Sequence, residues 1–290
     1  MLIGHQKIWQ FLEKSAENQS LSHAYLFSGE EHLGKKTLAL EFIKFLNKAK
    51  NLDPDLILIS NERDESIQIS QIRKIQYFLS ETSFLGSYKS VIIDQAEKMT
   101  KDAQSCLLKT LEEPKGKTLL ILITSFPNLI MKTITSRCQK ICFFPVPSQI
   151  LKNFLEDYNL PTVLKLTSKE KEKLIFSFRG KPGRLINFLL SPEKLEKENQ
   201  ILKEILNLSK RDLYSRFQYL KSLENENISA NEIVKILTEY FRELLIGQSK
   251  ESYSLSKLKE ILEFLNEVYF LISFTNINKK LALEMLMLEL

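Results

Sequence analysis

The chain has 290 residues, of which 43% are hydrophobic and 27% are charged. This length accommodates two or three domains, and this composition is that of a globular protein rather than a disordered one. The formal net charge is only +5. Because tight binding along a nucleic-acid backbone requires a concentrated basic surface, the charge argues against autonomous DNA or RNA binding.

Cysteine usage and hydropathy exclude further classes. The chain contains three cysteines (Cys106, Cys138 and Cys142) and three histidines that lie far from them in sequence. This set provides neither a disulfide framework nor the four clustered ligands of a structural zinc site, so no metal site is expected. The N-terminus lacks a signal-peptide pattern, and the apolar runs are too short to span a membrane. We therefore expect a cytoplasmic protein without membrane association.

The predicted elements of the first half alternate between amphipathic helices and short apolar strands. Helices are predicted over 5–18, 37–46, 70–79 and 101–111, and strands over 24–27, 56–59, 91–93, 119–123 and 140–144. Apolar strands without polar alternation, separated by helices, are typical of a parallel sheet that is covered on both faces. The first half is therefore predicted to be an α/β domain.

The second half carries almost no strand signal. Prolines at 161, 182 and 192 interrupt it, and helices are predicted over 148–158, 168–178, 183–190, 199–208, 211–224, 230–246, 254–270 and 276–289. The change in pattern predicts three domains. These are an α/β domain over 1–146, a small helical domain over 147–192 and a helical bundle over 193–290.

The segment from Gly29 to Thr37 resembles a phosphate-binding loop. It follows a predicted strand and opens a predicted helix, which is the context that the pattern GxxxxGK[ST] requires. Gly34 and Lys35 match the pattern, whereas Lys36 stands at the hydroxyl position and Thr37 comes one residue late. These five residues are candidates for binding ATP or ADP with Mg²⁺. A strand–turn–helix corner that has lost its nucleotide would show the same pattern, so the sequence leaves nucleotide binding open.

A second candidate residue, Asp94, ends the predicted strand 91–93. A carboxylate at this position holds Mg²⁺ in nucleotide-hydrolysing sites of the same class. The next residue is Gln95 rather than a glutamate, and an amide cannot accept a proton from water. Glu97 is nearby, but two residues further along a turn we expect its side chain to point elsewhere.

Four segments carry a resemblance to a known family. They read HAYLFSG over 23–29, VIIDQAEKM over 91–99, LLKTLEEP over 107–114 and TITSRC over 133–138. In these segments the chain resembles the bacterial DNA polymerase III clamp-loader subunits of the AAA+ class, and most closely the delta-prime type. The resemblance is strong over 1–145 and weaker beyond, where the last helix looks like the family's final collar helix.

The resemblance implies a fold and a set of roles. It implies an AAA+ P-loop domain, a small helical lid and a C-terminal collar that joins subunits. Arg137 matches the arginine of the SRC motif, which acts as an arginine finger in the ATP site of a neighbouring subunit. Thr124 matches the sensor-1 position. Arg184 lies near the sensor-2 helix, although the register could equally put Gly183 there.

The implied partners are the motor (gamma/tau-like) and delta-like subunits, the sliding clamp and, through the complex, primed DNA. The chain also departs from the motor pattern, since it lacks the four-cysteine zinc module and has His32, Lys36 and Gln95 at the glycine, hydroxyl and catalytic glutamate positions. These departures favour an accessory, delta-prime-like part of the polymerase III holoenzyme without independent enzymatic activity.

Two alternatives stay open. One is an ATP-hydrolysing motor subunit, in which Lys35 and Asp94 suffice and Thr37 replaces the missing hydroxyl. The other is a free-standing P-loop nucleotide-binding module outside replication, which the SRC motif disfavours.

Overall fold

A computed structural model gives the architecture of the chain and describes residues 2–48, 53–60, 66–84, 88–157, 175, 178–208, 212–225, 228–247, 254–275 and 277–289. Contacts divide the chain into two compact units, Met1–Leu189 and Leu190–Leu290. The three-domain scheme of 1–146, 147–192 and 193–290 stays a prediction.

The first unit is built on a five-stranded parallel sheet. Its strands are β1 (Ala24–Ser28), β2 (Leu56–Ile59), β3 (Lys89–Ile93), β4 (Thr118–Thr124) and β5 (Gln139–Cys142). The order across the sheet is β2-β3-β4-β1-β5, with Ala24 opposite Leu120 and Ile92 opposite Ile121. The predicted α/β fold with a parallel sheet is confirmed.

Helices connect these strands. They are α1 (Gln6–Glu17), α2 (Lys35–Asn47), α3 (Ile69–Ser80), α4 (Lys101–Glu112) and the short α5 (Lys132–Thr135), followed by α6 (Ser148–Asp157) and α7 (Pro182–Leu190). The predicted helix at 168–178 lies almost entirely outside the described residues.

Alternate residues of each central strand enter two separate cores, which explains why the strands read as unbroken apolar runs. In β1, Leu26 belongs to one core and its neighbour Phe27 to the other. In β3, Ile93 and Ile92 divide in the same way. All four side chains are at most 1% exposed. The sheet is therefore covered on both faces, as predicted.

The second unit contains helices α8 (Pro192–Leu208), α9 (Leu213–Asn225), α10 (Ala230–Gly247), α11 (Leu255–Phe274) and α12 (Lys279–Glu289). Its core includes Ile205, Leu237, Phe241, Leu265 and Leu286. Helix α8 begins seven residues before the predicted start at 199. The proline at 192 opens this helix because the first helical turn needs no backbone N–H donor. Among the described helices, none is long and apolar enough to cross a membrane.

Candidate functional site

The carboxyl ends of three adjacent strands bring the predicted nucleotide-site residues together. Strand β4 lies between β1 and β3 in the parallel sheet, so the loops that follow these strands meet at one edge. The Gly29 backbone N–H, after β1, donates to the carbonyl of Thr124, the last residue of β4, at 3.3 Å. Asp94 follows β3 at the same edge. The site is thus a product of topology, as expected for a parallel α/β sheet.

The loop from Gly29 to Gly34 contains three residues with positive φ. Gly29 has φ +147°, and a Cβ there would lie 2.5 Å from the Phe143 carbonyl oxygen, so only glycine fits. Gly34 has φ +87° and precedes the first residue of α2. His32 adopts φ 63°, a left-handed conformation that glycine takes without strain and that is uncommon for other residues. The turn is therefore formed with a non-glycine residue at position 32.

The Lys35 side chain points into the protein, where its ammonium group hydrogen-bonds to groups of the same chain. Its side chain is buried, and its Nζ donates to the backbone carbonyls of Gly29 and Glu30, the latter at 2.6 Å, and to Ser125 Oγ at 3.4 Å. Burial lowers the pKa of Lys35, and the charge of Glu97 is the largest influence in the opposite direction. The ammonium group therefore stabilises the loop through contacts within the chain.

Lys36 forms an ion pair with the residue that would hold Mg²⁺. Its Nζ lies 3.3 Å from Asp94 Oδ2, and the two side chains are 40% and 21% exposed. Thr37 lies one residue further along α2 and is exposed. An ammonium group therefore lies against the Asp94 carboxylate, on the same side of the loop where the usual hydroxyl would be.

The expectation that Glu97 points away from the site is wrong. Gln95 adopts the left-handed conformation (φ 54°), which turns the chain back into a short 3₁₀ helix, Ala96–Lys98. The Glu97 side chain is consequently buried, and its Oε1 accepts a 3.1 Å hydrogen bond from the Ser125 N–H. Its Oε2 is buried and has no hydrogen-bond partner among the described residues. Burial raises the pKa of Glu97.

Thr124 is buried at the end of β4 between these groups. Its Oγ1 accepts a 3.0 Å hydrogen bond from the Phe126 N–H, and its side chain also hydrogen-bonds to Glu97. Gln95 donates its backbone N–H to Asp94 Oδ1 at 3.1 Å. Among the described residues, the buried Gln95 Oε1 has no hydrogen-bond partner. Thr124 therefore shapes the turn after β4 and helps hold Glu97.

Of the two candidate sensor-2 residues, Gly183 is the one whose backbone contacts the loop. Its N–H donates to the His32 carbonyl at 2.8 Å, and a Cβ on Gly183 would lie 2.9 Å from that oxygen. The neighbouring Lys181 pairs with Glu30 at 2.9 Å. Arg184 lies in the first turn of α7, where its N–H donates to the Lys181 carbonyl at 3.1 Å. Two contacts therefore tie the start of α7 to the loop.

The arrangement does not fit a nucleotide with Mg²⁺. A magnesium ion bridging phosphates would need Asp94 as a free carboxylate and an oxygen ligand from the loop, whereas Lys36 supplies a cation to that carboxylate. Glu30 and Glu31 add negative charge beside Lys35, where a polyanion would have to bind. Among the described residues, no group of three or more His, Cys, Asp or Glu side chains is placed to hold a metal ion.

Arg137 lies at the opposite edge of the sheet. It follows α5 and precedes β5, so it is at the amino end of a strand whose carboxyl end lies near Gly29. Four strand residues at about 3.3 Å each separate the two edges by about 13 Å. The Arg137 side chain is 38% exposed. Arg137 is therefore remote from the phosphate-binding loop of its own chain.

The neighbours of Arg137 in sequence anchor it. Ile134 and Cys138 are buried, and burial raises the pKa of the Cys138 thiol to about 12. The guanidinium itself is held at the surface, because Nη1 donates to the Thr133 carbonyl at 2.9 Å and Nη2 lies 2.9 Å from Glu112 Oε1.

A family model described as "DNA polymerase III, delta subunit" matches residues 4–147 of this chain, which include both the Lys35 loop and Arg137. These residues, just under half of the chain, are similar to that family. The resemblance to delta-prime clamp-loader subunits is confirmed.

Curated relatives agree with this assignment. The delta-prime subunit of DNA polymerase III from Bacillus subtilis is 34% identical over a 178-residue alignment, and the match covers 55% of this chain and 54% of the relative. The delta-prime subunit from Pseudomonas aeruginosa is 33% identical over a 160-residue alignment, and the match covers 48% of each chain. The chain thus spans about half the length of the curated relatives it matches.

A solved structure supports the fold over almost the whole chain. The DNA polymerase III gamma subunit-related protein from Thermotoga maritima superposes with a TM-score of 0.58 at 22% identity, covering 96% of this chain and 97% of its own. The chain therefore shares its α/β fold with that protein, as the sequence predicts.

Proposed function

We propose that this chain is an accessory, delta-prime-like subunit of the DNA polymerase III clamp loader. In this role it helps to load the sliding clamp onto primed DNA by completing a neighbouring subunit's ATP site. The partners are motor subunits of the gamma/tau type and a delta-like subunit. Similarity to delta-prime subunits supports the assignment.

The position of Arg137 is the observation that carries the proposal. The residue is exposed at the amino edge of the parallel sheet, and the chain's own Lys35 loop lies at the carboxyl edge. A guanidinium at the amino edge, about 13 Å along the strands from the Lys35 loop, is better placed for a phosphate bound to another molecule than for one at its own loop. Its planar, permanent charge suits stabilisation of the negative charge on a transferring γ-phosphoryl group.

The Lys35 loop supports an accessory role rather than that of the motor. Gln95 cannot act as a general base, and the Asp94 carboxylate is neutralised by Lys36. Loss of a general base alone typically lowers the rate about 10²–10⁴-fold. We therefore expect the purified chain to hydrolyse ATP no faster than the Lys35→Ala variant, which is the background control. A turnover that Lys35→Ala abolishes would favour the motor alternative.

Reconstitution tests the proposal directly. The full chain is mixed with the organism's motor and delta-like subunits, and the complex is measured by sedimentation before clamp loading is followed on primed DNA. The proposal requires that omission of this chain abolishes both stable assembly and loading. Full loading by the other subunits alone would contradict it, and a monomeric chain in the mixture would favour the free-standing nucleotide-binding module.

A further inference from the structure

Arg137 is paired with a carboxylate of its own chain. Its Nη2 lies 2.9 Å from Oε1 of Glu112, the last residue of α4, and its Nη1 donates to the Thr133 carbonyl at 2.9 Å. The Arg137 and Glu112 side chains are 38% and 51% exposed. Two of the five N–H donors of the guanidinium are thus directed at groups of the same chain.

The two groups that hold Arg137 come from elements that are joined to each other. Gln104, in the middle of α4, is buried and accepts a 2.8 Å hydrogen bond from the Met131 N–H at the start of α5. Its Nε2 donates to the Leu129 carbonyl at 3.3 Å. Hydrogen bonds from the Gln104 side chain to the backbone at Leu129 and Met131 therefore hold α4 against the segment that leads into α5, the helix that carries Thr133.

The Arg137–Glu112 ion pair is suited to orienting the arginine side chain without immobilising it. Exposed ion pairs contribute little to stability, because solvent screens them and two long side chains must be ordered. Such a pair narrows the directions in which an otherwise mobile arginine points. It is also weak enough for the remaining donors, or the whole guanidinium, to engage a multiply charged phosphate.

We propose that Glu112 is a positioning residue for Arg137, which keeps the guanidinium extended toward the neighbouring subunit's ATP site before ATP arrives. This inference rests on the proposed function, since it assumes that Arg137 acts in trans. It assigns to Glu112 a role through Arg137, with no contact of its own to the nucleotide. The adjacent Glu113 is exposed as well and provides a matched control, because the same substitution removes the same charge one residue away.

The test uses the assembled complex and measures clamp- and DNA-stimulated ATP hydrolysis as a function of ATP concentration. Glu112→Gln is expected to lower kcat about two- to fivefold, the range of a weak ion pair, and to leave KM for ATP unchanged. Glu113→Gln is expected to match the wild type, and Glu112→Asp to recover part of the loss. Thermal unfolding of each isolated variant verifies that the fold is retained.

A double-mutant cycle separates failure of this inference from failure of the proposed function. If Glu112 acts through Arg137, adding Glu112→Gln to Arg137→Ala lowers the rate no further than Arg137→Ala alone. Additive losses, an effect equal to that of Glu113→Gln, or a faster Glu112→Gln complex would overturn the positioning role while Arg137→Ala still lowered the rate. If Arg137→Ala itself has no effect, the trans role of Arg137 fails, and the inference fails with it.

Discussion

Lys36 Nζ and Asp94 Oδ2 lie 3.3 Å apart, which places a side-chain ammonium on the carboxylate that would hold Mg²⁺ in an active P-loop site. Lys36 therefore stands where the pattern has a hydroxyl ligand, and it also neutralises the carboxylate that would be the second ligand. The backbone of the loop has Gly29 and Gly34 in glycine-type conformations. The features that disfavour a metal ion thus lie in the side chains of the loop.

Replacing Lys36 should restore part of this metal chemistry. In the Lys36→Thr variant, Asp94 is released and a hydroxyl stands at the pattern's usual position, so Mg²⁺ should tighten ATP binding by about tenfold or more, or about 1.4 kcal/mol. The wild type should show no such gain. Calorimetric titration with ATP in Mg²⁺ and in EDTA measures the difference. Lys36→Met, which frees Asp94 without adding a hydroxyl, is the control, and magnesium-dependent ATP binding by the wild type would contradict the interpretation.

Lys35 should contribute to stability in the absence of any nucleotide. Its ammonium group hydrogen-bonds to the Gly29 and Glu30 carbonyls, so Lys35→Ala leaves these acceptors without that donor and should lower the free energy of unfolding by about 1–3 kcal/mol. Urea unfolding of protein stripped of nucleotide provides the measurement. Equal stability of variant and wild type would show that these contacts are not maintained in solution.

Glu97 predicts a specific pH dependence of stability. Burial raises its pKa above the ordinary value of 4.5, so the folded chain binds this proton more tightly than the unfolded chain does. The resulting stabilisation is present below pH 4.5 and is lost as the pH rises through the raised pKa. The Glu97→Gln variant has a neutral side chain at every pH. The difference between its Tm and that of the wild type should therefore shift in favour of the variant as the pH rises through the pKa of Glu97. If the Tm of Glu97→Gln instead decreases relative to that of the wild type as the pH rises, the attraction between the Glu97 carboxylate and Lys35 outweighs the effect of burial.

Gly183 should be required for the contact between α7 and the phosphate-binding loop. A Cβ at this position would lie 2.9 Å from the His32 carbonyl oxygen and 3.1 Å from its Cα, both of them backbone atoms. Gly183→Ala must therefore shift one of the two segments, and we expect a loss of about 1–3 kcal/mol in stability. Thermal unfolding measures this loss, and an unchanged Tm would show that the segments separate without cost.

Much of the first unit could be predicted from the sequence because burial dictates its pattern. Strand β2 coincides with the predicted 56–59, β3 begins two residues before the predicted 91–93, and β4 exceeds the predicted 119–123 by one residue at each end. The meeting of Gly29, Asp94 and Thr124 follows from strand order alone. The strand positions and their parallel, doubly covered arrangement could therefore be predicted from the sequence, whereas the strand order was not predicted.

Side-chain directions could not be read in the same way. Two ion pairs depend on side-chain rotamers and on how far one element is shifted along another, and hydrophobic periodicity encodes neither. They are Lys36–Asp94 and Arg137–Glu112. Glu97 was missed because Gln95 takes a left-handed conformation, uncommon for a residue other than glycine, and so reverses the direction of the turn. The only signal in the sequence was the spacing of three residues between Asp94 and Glu97.

The trans role of Arg137 is the central claim, and one measurement tests it most directly. ATP hydrolysis stimulated by clamp and primed DNA is compared between complexes that contain the wild-type chain, Arg137→Ala, Arg137→Lys or Lys132→Ala, an exposed cation of α5 as control. Arginine fingers contribute about 10³–10⁵-fold to the rate where all turnover depends on them, and only the one site that faces this chain should lose its finger.

We predict intact assemblies in which Arg137→Ala lowers the rate of ATP hydrolysis and slows clamp loading. Arg137→Lys should rescue poorly, because an ammonium lacks the planar two-pronged contact, and Lys132→Ala should match the wild type. Wild-type rates of hydrolysis and loading with Arg137→Ala would contradict the account.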